Sequence, residues 1–302
     1  MYDICGVGHI TLDKVITPNS VKYMPGGTSY YFSNAIRNMH LNYLLVTSLG
    51  DGEMHTVTSL RSLGIEINAY QSAYSVYFEN IYSDNVDHRT QRVLRKADPF
   101  SIDQLKDIRA QIFHLGPLLA DDMSAAFIKD LSERGRVSLD VQGFLRTVEH
   151  LNVVLTDWPK KMETLKYIDI LKANDQEMEV ITRLTDVRAG AKLLSEWGIK
   201  EVVITLGSRG SVIYTGGIFY DIPVFIPHNI SDTTGCGDTY MGGYLSQRIL
   251  GKKPQQAGEF ASAMAALKIE SYGPFTGTPE DVFTFMTRRT NGDIPVLNLS
   301  LQ

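Results

Sequence analysis

What most constrains this chain is its rhythm. Short apolar runs, many of them β-branched, alternate with stretches of helical period, and small turns rich in glycine separate the two. Residues 4–7 end in Gly8, 43–49 end in Gly50, 111–115 run into Gly116-Pro117, 137–139 lead to Asp140, 168–171 lead towards Asn174, and 201–206 end in Gly207. Between these runs, residues 29–39, 53–63, 120–134 and 186–197 read as helices, with Thr28 placed to cap the first and Gly64, Gly135 and Gly198 stopping the others. Strands joined by helices of this length argue for a parallel sheet covered on both faces.

Two stretches break the rhythm. Residues 11–24 alternate around the turn Pro18-Asn19-Ser20, and residues 74–83 and 89–96 flank the polar turn Asp84-Asn85-Val86-Asp87. Both read as hairpins inserted in the α/β frame. Beyond residue 237 the chain reads as helical over 238–250, 254–271 and 279–288. A length of 302 residues allows two domains. With no linker, repeat or low-complexity tract, one α/β domain over 1–302, with segments 11–24 and 74–96 inserted as a small β lid, fits better.

Composition excludes several classes of function. At 43% hydrophobic and 21% charged, the chain is neither disordered nor fibrous. A formal charge of −5 leaves no broad positive field for a nucleic-acid backbone or an anionic membrane. Two cysteines, Cys5 and Cys236, make no disulfide framework. No run has the length of a transmembrane helix, and the first residues show no signal-peptide pattern, so the expected location is cytoplasmic.

The segment richest in chemistry is Asp232-Thr233-Thr234-Gly235-Cys236-Gly237-Asp238-Thr239-Tyr240-Met241-Gly242-Gly243. A helix N-terminus offers unpaired amides and the positive end of a dipole, so Gly235, Cys236 and Gly237 can turn their N–H groups to an anion. Asp238, in the first turn, is suited to take a proton from a hydroxyl attacking a phosphate. Taken alone, the same residues read rather as a loop followed by a stabilising first-turn acid.

In context this segment resembles the C-terminal signature of the PfkB, or ribokinase-like, carbohydrate kinases, and further elements of that family recur in order along the chain. The resemblance implies a three-layer α/β/α sandwich with a mostly parallel central sheet and a small β-sheet lid. It implies an ATP-dependent phosphotransferase using Mg²⁺, with Asp238 as base and Gly235–Gly237 as anion hole. Gly8-x-x-x-x-Asp13 implies that Asp13 binds acceptor hydroxyls, with His9 where the family often has an acid. Pro25-Gly26-Gly27-Thr28 implies that the acceptor lies against Gly26 and Gly27. The Asn usual four residues after the second glycine is here Tyr31, with Asn34 one turn on, and Gly50-Asp51-Gly52 is a shortened form of a family turn. Asp140-Val141-Gln142-x-x-x-Arg146 places Arg146 to meet an anionic ligand group, or as an exposed loop arginine.

Asn174-Asp175-Gln176-Glu177 resembles the family's Asn-x-x-Glu, which implies Mg²⁺ near Asn174 and Glu177, through water. The same spacing suits a helix capping box. Thr205-Leu206-Gly207-Ser208-Arg209-Gly210 implies a nucleotide loop using Thr205, Gly207 and Gly210, with a hairpin of 211–214 and 218–222 beside it and adenine near 261–273. Asp232 and Thr234 stand where family members hold a monovalent cation, commonly K⁺.

Rival signatures fail. Gly6-x-Gly8-x-x-Thr11 lacks the third small residue and the following helix of a dinucleotide site. There is no Walker motif, no Gly-x-Ser-x-Gly elbow and no zinc-ligand spacing among the seven histidines. The expected acceptor is a small sugar or polyol, with a nucleoside or inositol-like acceptor, or a catalytically silent binding protein, as alternatives. The lid bases His88, Arg89, Arg92, Arg95 and Lys96 suit a phosphorylated acceptor, or are solvated charges. Tyr74, Val76, Phe78 and Ile81 give the lid apolar faces, and a homodimer through the lid is expected.

Overall fold

In a computed structural model, residues 1–82 and 89–290 are described. The turn Asp84-Asn85-Val86-Asp87, His88 and the Arg89 side chain fall outside them. The larger of two sheets has nine strands. These are β1 (Tyr2–Val7), β4 (Tyr43–Leu49), β5 (Glu66–Gln71), β8 (Ala110–Leu115), β9 (Arg136–Asp140), β12 (Ile170–Asn174), β13 (Glu201–Thr205), β14 (Ser211–Thr215) and β15 (Ile218–Ile222). Their spatial order is β15-β14-β13-β12-β9-β8-β1-β4-β5, parallel except for the β14–β15 hairpin at one edge. The other six strands, β2 (Thr11–Thr17), β3 (Ser20–Gly26), β6 (Val76–Tyr82), β7 (Arg89–Arg95), β10 (Arg146–Glu149) and β11 (Asn152–Leu155), form a smaller sheet in the order β10-β11-β7-β6-β2-β3.

Helices cover both faces of the large sheet because successive residues of each buried strand point to opposite faces. Ile4, Tyr43 and Leu45 pack with α1 (Thr28–Ile36), α2 (Met54–Ser62), α7 (Cys236–Ile249), α8 (Pro254–Ile269) and α9 (Pro279–Thr290). Cys5, Leu44 and Val46 pack with α3 (Ala125–Ser132), α5 (Asp175–Thr182) and α6 (Val187–Glu196) on the other face. One short turn, α4 (Lys161–Thr164), completes the helices named here. The result is the α/β/α sandwich expected, with a mostly parallel centre. Among the described residues no helix is long and apolar enough to cross a membrane.

Three differences from the sequence reading matter for function. The β10–β11 hairpin is an addition to the smaller sheet, so Arg146 starts a strand rather than lying in a loop. Residues 120–124 precede α3, and Ser124 caps it by accepting from the Phe127 amide at 3.1 Å. Thr28 is not the cap of α1: Gly27 takes that position at φ +89°, and Thr28 lies inside the first turn. This frees the Thr28 hydroxyl for the site described next.

Candidate active site

The C-terminal ends of β9, β12 and β13 meet the start of α7 at a cavity of about 790 Å³, the place where open parallel sheets take ligands. Gly235 sets its floor. Its φ of +75° is a left-handed value, and a side chain there would overlap the ring of Tyr31. The backbone therefore turns sharply into α7. Among the described residues the amides of Gly235, Gly237 and Asp238 have no backbone acceptor, whereas that of Cys236 donates to the Thr233 carbonyl at 3.2 Å. The anion-hole expectation is corrected in this respect: Cys236 places its residue but not its N–H.

Asp238 lines the cavity and is only partly accessible from it. The protein beneath it strips away enough water to raise its carboxyl to about 7, and the Asp140 charge adds to the rise. Lys172, a hydrogen bond from the Thr28 hydroxyl, and Arg146 pull the other way without reversing it. A carboxyl near 7 is matched to proton transfer at neutral pH.

Lys172 is the residue the sequence reading missed. Parallel strands buried on both faces are near-continuous apolar runs, so the lysine within Ile-Leu-Lys-Ala-Asn is itself the signal. The β9–β12 register sets Lys172 beside Asp140. Its buried ammonium donates to Asp140 Oδ2 at 2.9 Å and lies 3.9 Å from Glu177 Oε2. Burial opposes the charge, but Asp140 and Glu177 outweigh it and hold the lysine above its usual range. A methyl group on Gly237 would be 3.3 Å from Lys172 Nζ, so this ammonium abuts the first turn of α7.

Asp13, Gly27, Tyr31 and Arg146 line the same cavity. The β2–β3 register sets Thr11 opposite Gly26, and the Thr11 hydroxyl donates to Asp13 Oδ1 at 2.6 Å. A side chain on Gly26 would overlap Asp13, so the glycine keeps that carboxylate accessible. Burial and the fields of Asp232, Asp13 and Asp238 push the Tyr31 hydroxyl up, and it has no hydrogen-bond partner among the described residues. Asn34 turns away, donating to the Tyr30 carbonyl at 2.9 Å. His9 is fully buried against the Asp98 carbonyl at 3.0 Å and Asp122 at 3.5 Å, in keeping with a structural place. Among the described residues, Arg92, Arg95 and Lys96 do not line the cavity. Arg92 pairs with Glu79 at 2.9 Å and Lys96 with Asp121 at 3.0 Å, while Arg95 lies over the Tyr74 ring. They give no support to a phosphorylated acceptor.

At the far end Thr205, Gly207 and Gly210 border an apolar slot made by Val224, Phe225, Ala265 and Ile269. Gly207 and Gly210 both take positive φ, +60° and +87°, as a tight loop needs. Asn174, set beside Thr205 by the β12–β13 register, forms a complete capping box with Glu177: each side chain accepts the other's amide, at 2.7 and 2.8 Å. Glu177 is buried and does not line the cavity. The pair thus fits a metal reached through water and does not fit direct ligation by Glu177. Among the described residues no cluster of three or more His, Cys, Asp or Glu side chains gathers for a metal.

The chain matches the pfkB family carbohydrate kinase model over residues 3–281 and belongs to that family, so it is a carbohydrate kinase of the ribokinase type. The cytidine kinase of Thermococcus kodakarensis is 26% identical over 291 residues, spanning 92% of this chain and all of that protein. A pyrophosphate-dependent kinase of the ribokinase family, solved as a sulfate complex, is 26% identical with a TM-score of 0.82, over 93% of this chain and 99% of that one. A pyrophosphate-dependent ribokinase-family kinase complexed with a pyrophosphate analogue and myo-inositol shares the fold at a TM-score of 0.84 and 24% identity, over 93% and 99% of the two chains.

Proposed function

We propose that this chain transfers the γ-phosphoryl group of ATP to a hydroxyl of a small sugar or polyol. The observation that carries the proposal is Asp238, with its carboxyl raised to about 7, at the head of a helix whose amides face the same cavity as Asp13. Asp13 and the Gly26-Gly27 backbone hold the acceptor. Asp238 takes the proton of the attacking hydroxyl. The Gly235 and Gly237 amides and the Lys172 ammonium stabilise charge on the phosphoryl oxygens. The triphosphate runs from there to Thr205, with adenine in the slot of Val224, Phe225 and Ile269. Mg²⁺, when bound to the phosphates within water's reach of Asn174, offsets their charge. The smaller sheet closes over the acceptor and excludes water that would otherwise hydrolyse ATP.

A nucleoside acceptor is the second reading, and the wall of the smaller sheet favours it. Met24 and Phe78 of that sheet, with Leu118 from the loop after β8, line the same cavity as Asp13 with more apolar surface than a bare sugar needs, and the Gln91 amide there donates to Asn80 at 2.9 Å. ADP release from ATP and phosphate release from pyrophosphate, each measured with ribose, myo-inositol and cytidine as acceptors, separate these. Turnover of one acceptor with ATP is the expected result. Turnover with pyrophosphate alone would overturn the donor assignment, and none with any pair would favour a binding protein.

A homodimer through the smaller sheet follows from its edge. β3 ends that sheet, and Val21 and Tyr23 project from it at 54% and 61% exposure. Light scattering is expected to give twice 33.7 kDa, and Tyr23→Lys should shift it to the monomer.

A further inference from the structure

The loop leading into α7 is held by a cation that the chain itself supplies. Lys268, in the last turn of α8, is 0% exposed. Its Nζ donates to the Asp232 backbone carbonyl at 2.7 Å and lies 3.1 Å from Asp232 Oδ2. Asp232 Oδ1 accepts the Thr234 amide at 2.9 Å, and Oδ2 accepts the Gly273 amide at 3.3 Å. The Ser231 and Asp232 amides both donate to the Ile269 carbonyl, at 2.8 and 3.2 Å. One carboxylate thus ties together the end of α8, the turn at Gly273 and the 232–235 loop that sets the start of α7.

A lysine ammonium with no exposure is costly to bury unless its charge is used. Here it rests on a carbonyl and a carboxylate oxygen, the donors a hard monovalent cation would take. The resemblance to ribokinase-like enzymes implies an exchangeable cation at Asp232 and Thr234, and these residues do not fit one. The ammonium already occupies the carbonyl and Oδ2. An N–H donor points at Oδ1, where a cation would be repelled.

We infer that the Lys268 ammonium takes the place of an exchangeable monovalent cation, so that this kinase orders its anion hole without potassium. Lys268 is a positioning residue. It acts through Asp232 on the 232–235 loop and sets a fixed positive charge near Cys236. The inference rests on the kinase reading for its rate readout, but its stability readout needs no substrate.

The test compares the wild type in tetramethylammonium chloride and in KCl at equal ionic strength, following ADP release and the thermal midpoint of the ligand-free protein. No change in either is expected, because an ion that binds only the folded state would raise the midpoint with its concentration. Activation by K⁺, or a midpoint that climbs with K⁺ but not with tetramethylammonium, would overturn the inference even if no substrate were turned over. Lys268→Ala removes the ammonium and leaves room for an ion. It should lose activity by about tenfold or more in tetramethylammonium and regain it in K⁺ or NH₄⁺. Lys268→Met fills the room without charge and should not be rescued. A Lys268→Ala protein as active as the wild type without K⁺ would sink the idea, and should neither variant fold, the wild-type ion series still decides.

Discussion

Asp238→Asn is expected to lower kcat by roughly 10²–10⁴-fold, the usual contribution of a general base, while leaving the acceptor KM within a few-fold. Asn keeps the shape of the side chain and can still accept from Thr28, but it cannot take a proton. With the carboxyl raised to about 7, wild-type kcat/KM should fall about tenfold per unit below pH 7 and level off above it. The stability readout has the opposite sense. A raised carboxyl means that the folded state binds this proton more tightly than the unfolded chain does. Ionised Asp238 therefore begins to cost stability as pH climbs past the ordinary carboxyl range, and the cost is complete above about 7. Asp238→Asn should accordingly melt higher than wild type at pH 8, with the difference shrinking as pH falls towards 4. A variant that is inactive and also less stable at pH 8 would point to a structural role for the side chain.

Lys172→Met is expected to damage both the fold and the chemistry. It leaves Asp140 and Glu177 buried without their cation, at 3% and 4% exposure. Stripping one partner from a buried ion pair costs about 3–5 kcal/mol, which for a chain of 302 residues lowers the melting temperature by roughly 5–8 °C. The loss reaches the chemistry too. Lys172 is one of the groups holding the Asp238 carboxyl down, so its removal should move the acid limb of the pH profile above 7. Wild-type kcat/KM and Lys172→Met kcat/KM measured across pH 5–9 check this. An unmoved limb with normal kcat would show that Lys172 serves the fold alone.

The strands themselves, though not their order in the sheet, were legible where they are buried on both faces. Residues 43–49 are the same seven in sequence and structure, and the hairpin around Pro18-Asn19 lies where its turn residues place it. The β10–β11 hairpin was not legible, for a physical reason. Its turn is made by His150 and Leu151, at φ +48° and +71°, rather than by the glycine or asparagine that usually marks such a turn. With that hairpin hidden, Arg146 could not be distinguished from a loop residue. At Asn174 and Glu177 the two readings of one motif proved compatible, since the capping box forms and hides Glu177 while Asn174 stays in the cavity. Lys172 and Lys268 show the opposite failure. Neither belongs to a motif, and each becomes meaningful only when strand register or helix packing brings it to a carboxylate.

Three separate stretches of chain enter the smaller sheet, as β2–β3, β6–β7 and β10–β11, and each returns to the larger one. Hydrogen bonds across all six strands bind these excursions into one plate. Any movement of the plate against the larger sheet must bend the chain at every crossing at once. Asp13 from the first excursion, Asn80 from the second and Arg146 from the third therefore travel as a set. Under the closure proposed above, an acceptor that satisfied two of them and clashed with the third would hold the whole plate ajar. Selectivity of this kind would be cooperative: it would be read from whether the plate can shut, and not from the sum of its separate contacts.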